Sequence, residues 1–189
     1  MMTDGRRRRL STADERRETV LRTAVGTFAA RGYFGTTTME VAKAAGISQA
    51  YVYRLFPNKE ALFAAVVERC FALVRAALEE GAARAGGSAP DVVLASMGDA
   101  YARLISDNDL MLVQLHAQAA AVSEPAIKDA VRAGYARIVE YVRGASGGGE
   151  EQIQQFFAIG MLCHLLVSVD AGAVDAPWSR TLTAGIAHY

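Results

Sequence analysis

Two helical stretches of about two turns each lie back to back at residues 37–45 and 48–56, and no other feature narrows the fold as much. Thr37, with Glu40 three residues later, has capping-box spacing and opens a helix over Val41, Ala42 and Ala45. Gly46 supplies the left-handed position that stops it. Ser48 caps a second helix that runs to Phe56, where Pro57 breaks it. Its inward side is expected to hold Val52 and Phe56, with Ile47 just ahead of it. Two short helices joined by Gly46-Ile47-Ser48 between longer ones have the layout of a helix-turn-helix, although the spacing alone also fits an ordinary helical hairpin in a bundle.

The flanking sequence supplies the longer helices. Thr12 and Glu15 repeat the capping-box spacing, and Val20, Leu21, Ala24, Val25 and Phe28 then share one face until Gly32 ends the helix. Ahead of it, residues 1–11 carry Arg6, Arg7, Arg8 and Arg9 without periodicity and read as a flexible basic arm. Asn58 caps a long helix over residues 58–84, with Leu62, Phe63, Val66, Val67, Cys70, Phe71 and Val74 on one face. Gly81, Gly86, Gly87 and Ser88 weaken it, and Pro90 with Asp91 starts another helix that reaches about residue 106. Further helices are expected over 107–122, 125–143, 150–170 and 178–189. Hydrophobic residues make up 52% of the chain and only four prolines interrupt it, so an all-α fold of about nine helices is expected. The expected organisation is an arm at 1–11, a helix-turn-helix domain at 12–57, a connector helix at 58–84, and an effector-binding and dimerisation domain at 85–189.

A net charge of zero conceals an asymmetry. Residues 1–60 hold 11 of the 20 Lys and Arg but 6 of the 20 Asp and Glu, which makes that segment +5 and the remainder −5. Basic charge beside a helix-turn-helix suits a phosphate backbone. The arm's arginines either enter an adjacent minor groove or add salt-dependent attraction.

The residues themselves carry a resemblance. Arg17-Glu18-Thr19-Val20-Leu21, Phe28-Ala29-Ala30-Arg31-Gly32-Tyr33, Thr36-Thr37-Thr38, Val41-Ala42-Lys43-Ala44-Ala45-Gly46-Ile47-Ser48 and Tyr53-Arg54-Leu55-Phe56-Pro57-Asn58-Lys59-Glu60-Ala61-Leu62 together resemble the TetR family of tetracycline-repressor-like regulators. That resemblance covers about residues 13–65 and implies a double-stranded operator as partner, Tyr53 and Lys59 on phosphates, and Thr37 or Thr38 capping the second helix against the backbone. The chemistry of the third helix adds its own candidates. Gln49 and Tyr51 project from its first turn behind the cap Ser48, glutamine being able to bond an adenine edge and Ala50 to touch a thymine methyl. Arg54 faces a base, a phosphate, or away from DNA. Tyr51, Ala50 and Leu55 depart from the commoner family pattern, which leaves the operator sequence open.

Toward the C-terminus, residues 156–169 are apolar almost all round, so that helix is either buried on several sides or packed on a partner. It and the last helix, about 150–170 and 178–189, are the expected homodimer interface, and the resemblance implies a four-helix bundle there. Met97, Tyr101, Leu104, Met111, Leu115, Tyr135, Ile138, Phe157 and Met161, with Gln114, Gln118, His116 and His164 as scattered polar groups, are candidates to line an effector cavity, although such spacing equally describes plain core. The lining favours a largely apolar or aromatic small molecule, and the expected mode is a repressor released by it. No cofactor and no metal are expected. His116, His164 and His188 lack closed metal-site spacing, and neither a phosphate loop nor a nucleophile elbow is present, so no catalytic residue is assigned. Cys70 and Cys163 read as buried thiols of a reducing cytosol. The N-terminus lacks the apolar segment of a signal peptide and the apolar run at 156–169 is too short to span a bilayer, so a cytoplasmic, nucleoid-associated protein is expected.

Overall fold

The structure, a computed structural model, describes residues 4–106 and 108–186, with side chains from residue 13 onward. Nine α-helices and no strand occur among the described residues: α1 (Asp4–Gly35), α2 (Thr38–Ala44), α3 (Gln49–Leu55), α4 (Lys59–Ala85), α5 (Pro90–Leu104), α6 (Asp109–Ala120), α7 (Pro125–Ser146), α8 (Glu150–Ser168) and α9 (Pro177–Thr183). A 3-10 turn, Ala171–Ala173, precedes α9. The all-α reading holds. Asp107, the expected first residue of the sixth helix, lies outside the described residues, as do His188 and Tyr189.

The local start and stop signals act largely where they stand. Thr37 caps α2 in a full capping box with Glu40, Ser48 accepts from the Tyr51 amide at the head of α3, and Asn58 Oδ1 accepts from the Ala61 amide at 2.7 Å. Gly46 adopts φ 66° between the two short helices. One start is different. The backbone is helical from Asp4, so residues 4–11 extend α1 rather than forming a separate arm, and Thr12 lies inside the helix instead of capping it. Arg, Leu and Ala after Gly5 are good helix formers with no breaker among them, which is why the helix continues upstream. The Arg6, Arg7, Arg8 and Arg9 side chains lie outside the described residues.

The interior is built around α4, which packs on α1 near its start and on α5 and α7 along the rest of its length. Phe28 of α1 meets Phe63 of α4 with ring centroids 4.6 Å apart, and both are fully buried. On α7, Gly134 allows the Phe71 ring to lie where a Cβ would sit only 2.2 Å from it. Gly81 plays the same part toward α5. A Cβ there would fall 2.6 Å from the Ser96 carbonyl oxygen and 2.7 Å from the Met97 Cα, and the Gly81 carbonyl accepts from Ser96 Oγ at 2.7 Å. In the sequence Gly81 reads as a weakening of the helix; in the fold it is the place where two helix backbones touch.

The core is one connected cluster from Val20 on α1 to Ile153 on α8, so the N-terminal helices and the C-terminal ones share an interior. A second junction ties α1 to α6: His116 Nε2 donates to the Ala29 carbonyl at 3.2 Å. Gly32 stands beside that ring at φ 69°, ψ 179°, where α1 breaks, and a Cβ would lie 2.7 Å from His116 Nδ1.

Gly81→Ala is expected to lower stability by about 1–3 kcal/mol, because the neighbour that must yield is backbone. Gly144→Ala, on α7 with nothing within 4 Å of its new Cβ, is expected to raise it by roughly 0.5–1 kcal/mol. Urea denaturation of the two variants checks the opposite signs.

Candidate nucleic-acid interface and ligand cavity

Three helices form the N-terminal head. α2 and α3 are seven residues each, too short to be stable alone, so their positions depend on what α1 and α4 do to them. Arg17 on α1 donates through Nη1 to the Leu55 carbonyl at 2.8 Å, and its guanidinium lies 4.2 Å from the Phe56 ring centroid. That contact holds the C-terminal end of α3. Lys59 at the first turn of α4 sits 4.3 Å from the Tyr33 ring centroid and donates to the carbonyls of Tyr33 at 2.9 Å and Thr36 at 3.2 Å. Those carbonyls belong to the last turn of α1 and to the link that leads into α2, so one ammonium ties three helices together.

Val52 and Phe56 face inward, each 1% exposed, and Ile47 is half-buried, as the sequence suggests. The opposite side of α3 is open: Ser48, Gln49, Ala50, Tyr53 and Arg54 are exposed and Tyr51 is half-buried. Two of these side chains are tied down. Gln49 Nε2 donates to Thr38 Oγ1 at 2.9 Å, and Thr38 Oγ1 donates to the Tyr53 hydroxyl at 3.1 Å. Thr38 is buried and joins α2 to α3, whereas its neighbour Thr37 is the cap. Because Tyr53 accepts in this chain, its own O–H hydrogen remains for donation, and the side chain is 47% exposed. Tyr51 lies between two guanidiniums, Arg16 at 5.8 Å and Arg54 at 5.4 Å from its ring centroid.

Sequence reasoning therefore finds the surface but misses the internal bonds that order it. It does not single out Arg17 or Thr36 individually, although Arg17 pins α3 and buried Thr36 donates to the Thr27 carbonyl at 3.3 Å. Lys59 shows the same gap, since two of its three hydrogens serve the fold.

A match to known proteins falls on this same head. Residues 20–66 fit the family described as "Bacterial regulatory proteins, tetR family". That stretch of the chain is similar to the DNA-binding domain of this family. The matched segment is the DNA-binding helix-turn-helix of a transcriptional regulator, formed in this chain by α2 and α3. Solved structures share the fold beyond the head. The regulator FadR from Bacillus subtilis, in complex with stearoyl-CoA, is 20% identical over 87% of this chain and 94% of its own, with a TM-score of 0.66. A TetR-family regulator from Agrobacterium tumefaciens is 18% identical over 91% and 94%, with a TM-score of 0.65. PfmR from Thermus thermophilus is 20% identical over 87% and 93%, at 0.62. No curated protein matches the sequence.

Behind the TetR-like head, α4, α5, α7 and α8 surround a cavity of about 910 Å³. Phe71, Val74 and Leu78 line it from α4, Leu94, Gly98, Tyr101 and Ile105 from α5, Tyr135 and Ile138 from α7, and Phe156, Phe157, Met161, Cys163 and His164 from α8; α6 contributes Gln114. Of the sequence candidates, Tyr101, Gln114, Tyr135, Ile138, Phe157, Met161 and His164 reach it. Met97, Leu104, Met111 and Leu115 do not. At about 100° per residue, Met97 and Leu104 sit roughly a quarter-turn of α5 away from the side carrying Leu94, Gly98 and Tyr101, and Met97 is fully buried where α5 meets α4. Met111 is likewise buried away from the cavity and Leu115 is half-buried outside it. Gln118 is also outside, donating to the Tyr135 hydroxyl at 2.9 Å, and His116 serves α1 instead. Among the described residues no group of three or more His, Cys, Asp and Glu is placed to hold a metal ion, and no helix is long and apolar enough to cross a membrane. Both cysteines are free thiols and buried, and burial pushes the Cys70 thiol up to about 12.

The head and the cavity each yield a stability prediction. Lys59→Met removes two charge-assisted hydrogen bonds and is expected to cost on the order of 1.5–3 kcal/mol, against less than about 1 kcal/mol for Arg54→Met, which loses only its contact with Tyr51. Thermal denaturation separates them. Burial holds the His164 imidazole below its ordinary value of 6.5. The unfolded chain therefore binds the extra proton first, and this group's contribution to stability is complete above 6.5 and declines as pH falls below it. In urea titrations between about pH 7.5 and 5, the decline is expected to be shallower in His164→Leu than in the wild type.

Proposed function

We propose that this regulator is a dimeric repressor that leaves a palindromic operator when a small, largely apolar ligand fills the cavity. The observation that carries the DNA half is the open side of α3: it is anchored from behind by Arg17, Val52 and Phe56, and offers Ser48, Gln49, Ala50, Tyr51 and Arg54 outward. In this reading α3 enters the major groove, with Gln49 and Ala50 against base edges and Tyr51 and Arg54 alongside. Thr37, Tyr53 and Lys59 meet the backbone, Tyr53 through its remaining O–H hydrogen and Lys59 through its third N–H, while Thr38, expected there from the sequence, is buried and spends its hydroxyl hydrogen on Tyr53. Gln49 exchanges its bond to Thr38 for one to a base.

A half-site reader needs a partner to read a whole palindrome. Exposed apolar residues at the C-terminal end support one: Ile159 and Leu165 on α8, Val169 just after it and Trp178 on α9 are each 45–48% exposed. The dimer proposed is formed through these last two helices. The effector half rests on the cavity's size and its mainly apolar walls, and a relative of the same fold carries stearoyl-CoA. A ligand favouring one spacing of the two heads shifts DNA affinity through that difference alone. The proposed location is the cytoplasm, on the nucleoid, and no chemistry is assigned to any residue.

Selection of random duplex DNA on the purified protein, followed by titration of the enriched sequence at two salt concentrations, tests this. The expected result is a near-palindrome bound more weakly as salt rises. Absence of any enriched sequence contradicts it. On the enriched duplex, Tyr53→Phe is expected to lower affinity across sequences by roughly three- to ten-fold, and Gln49→Ala to flatten discrimination at one base pair by about 1–3 kcal/mol.

A further inference from the structure

The buried polar locus of the cavity is the cluster of Tyr101, Gln114 and His164. Gln114 Nε2 donates to the Leu110 carbonyl at 3.2 Å and to the Tyr101 hydroxyl at 3.1 Å. Tyr101 lies 2.5 Å from His164 Nε2, and with Gln114 donating to its oxygen its single hydrogen is assigned to that nitrogen, in the tautomer that accepts there. The approach of the Tyr101 oxygen to Gln114 Oε1, at 3.3 Å, is longer than both of its other bonds. A neutral imidazole that accepts at Nε2 carries its hydrogen on Nδ1. His164 is 2% exposed and burial keeps it neutral, and Nδ1 is buried with no hydrogen-bond partner. His164 is a lining residue of the cavity, and a buried donor without a partner is costly to leave alone and is satisfied when an acceptor arrives with a ligand and the ring turns to meet it.

Charge narrows that acceptor. No Lys or Arg is among the described residues lining the cavity, whereas Asp91, Asp99 and Glu151 are. A carboxylate or phosphate head finds no cation among the described lining residues, and Asp91 and Glu151 stand exposed at the rim. An ammonium head brings only donors to a locus that itself presents a donor.

We infer that the cavity takes an uncharged, largely apolar molecule bearing a carbonyl-type oxygen, which accepts the Nδ1 hydrogen of His164, while Tyr101 and Gln114 are positioning residues that fix the imidazole's tautomer and orientation. The inference rests on the reading of this cavity as the effector site and adds the chemical class that it selects.

Displacement of the fluorescent neutral probe N-phenyl-1-naphthylamine from the full-length protein tests both levels, using 2-nonanone, nonane, nonanoate and nonylammonium as competitors. The readout is the ketone-to-alkane selectivity, compared between wild type and variant so that differences in water solubility cancel. His164→Leu is expected to lower that selectivity roughly ten-fold while leaving nonane's own displacement near its wild-type value. Tyr101→Phe, which removes the bond that fixes the tautomer, is expected to lower it as well and serves if the first variant does not fold. Unchanged selectivity in the folded variants overturns the inference while leaving the cavity as a ligand site. So does stronger displacement by nonanoate or nonylammonium than by the ketone. Failure of the probe to bind saturably removes the effector-site reading itself.

Discussion

The seating of α1 against both α4 and α6 is the constraint on which the rest of the molecule depends. α2 and α3 have too few residues to define their own positions. They take them from α1, through Arg17 on the Leu55 carbonyl, and from α4, through Lys59 on the carbonyls of Tyr33 and Thr36. α1 in turn takes its place from Phe63 on one side and from His116 on the other. Gly32 makes the second contact possible, since a side chain at that break in α1 would collide with the His116 ring.

The same two supports reach the cavity. α4 gives it Phe71, Val74 and Leu78, and α6 gives it Gln114, two residues before the histidine that holds α1. A ligand that moves Gln114 or the Phe71 stretch therefore acts on helices that also seat the head. Close-packed interiors transmit such shifts because they have little free volume in which to absorb them. This gives the proposed regulation a physical route that is local at every step.

How much of this is legible in the sequence follows from the range over which each signal acts. Thr37 with Glu40, Gly46, Ser48, Asn58 and Pro90 are short-range punctuation, and the helices begin or end at them. The buried face of α1 from Val20 to Phe28 follows from its period in the same way. The start of α1 was not legible, because a capping-box spacing at Thr12 does not stop a run of good helix formers upstream from joining the helix. The cavity lining was legible only in part. Which side of α5 faces inward is decided by its rotation against α4, set by the glycine contact at Gly81, and that rotation separates Leu94 and Gly98 from Met97 and Leu104. Least legible were the tethers on Gln49 and Lys59: their partners lie 11 to 26 residues away, and no spacing rule reaches them.

The central claim is that head and cavity are one mechanically connected unit, joined through α1 and α6. Hydrogen exchange followed by mass spectrometry, with and without the duplex enriched by selection, measures that most directly. The account predicts added protection in α3 and, with it, altered exchange in α6 around Gln114 and His116. A change confined to residues 37–56, with α6 exchanging at the same rate in both states, would contradict it.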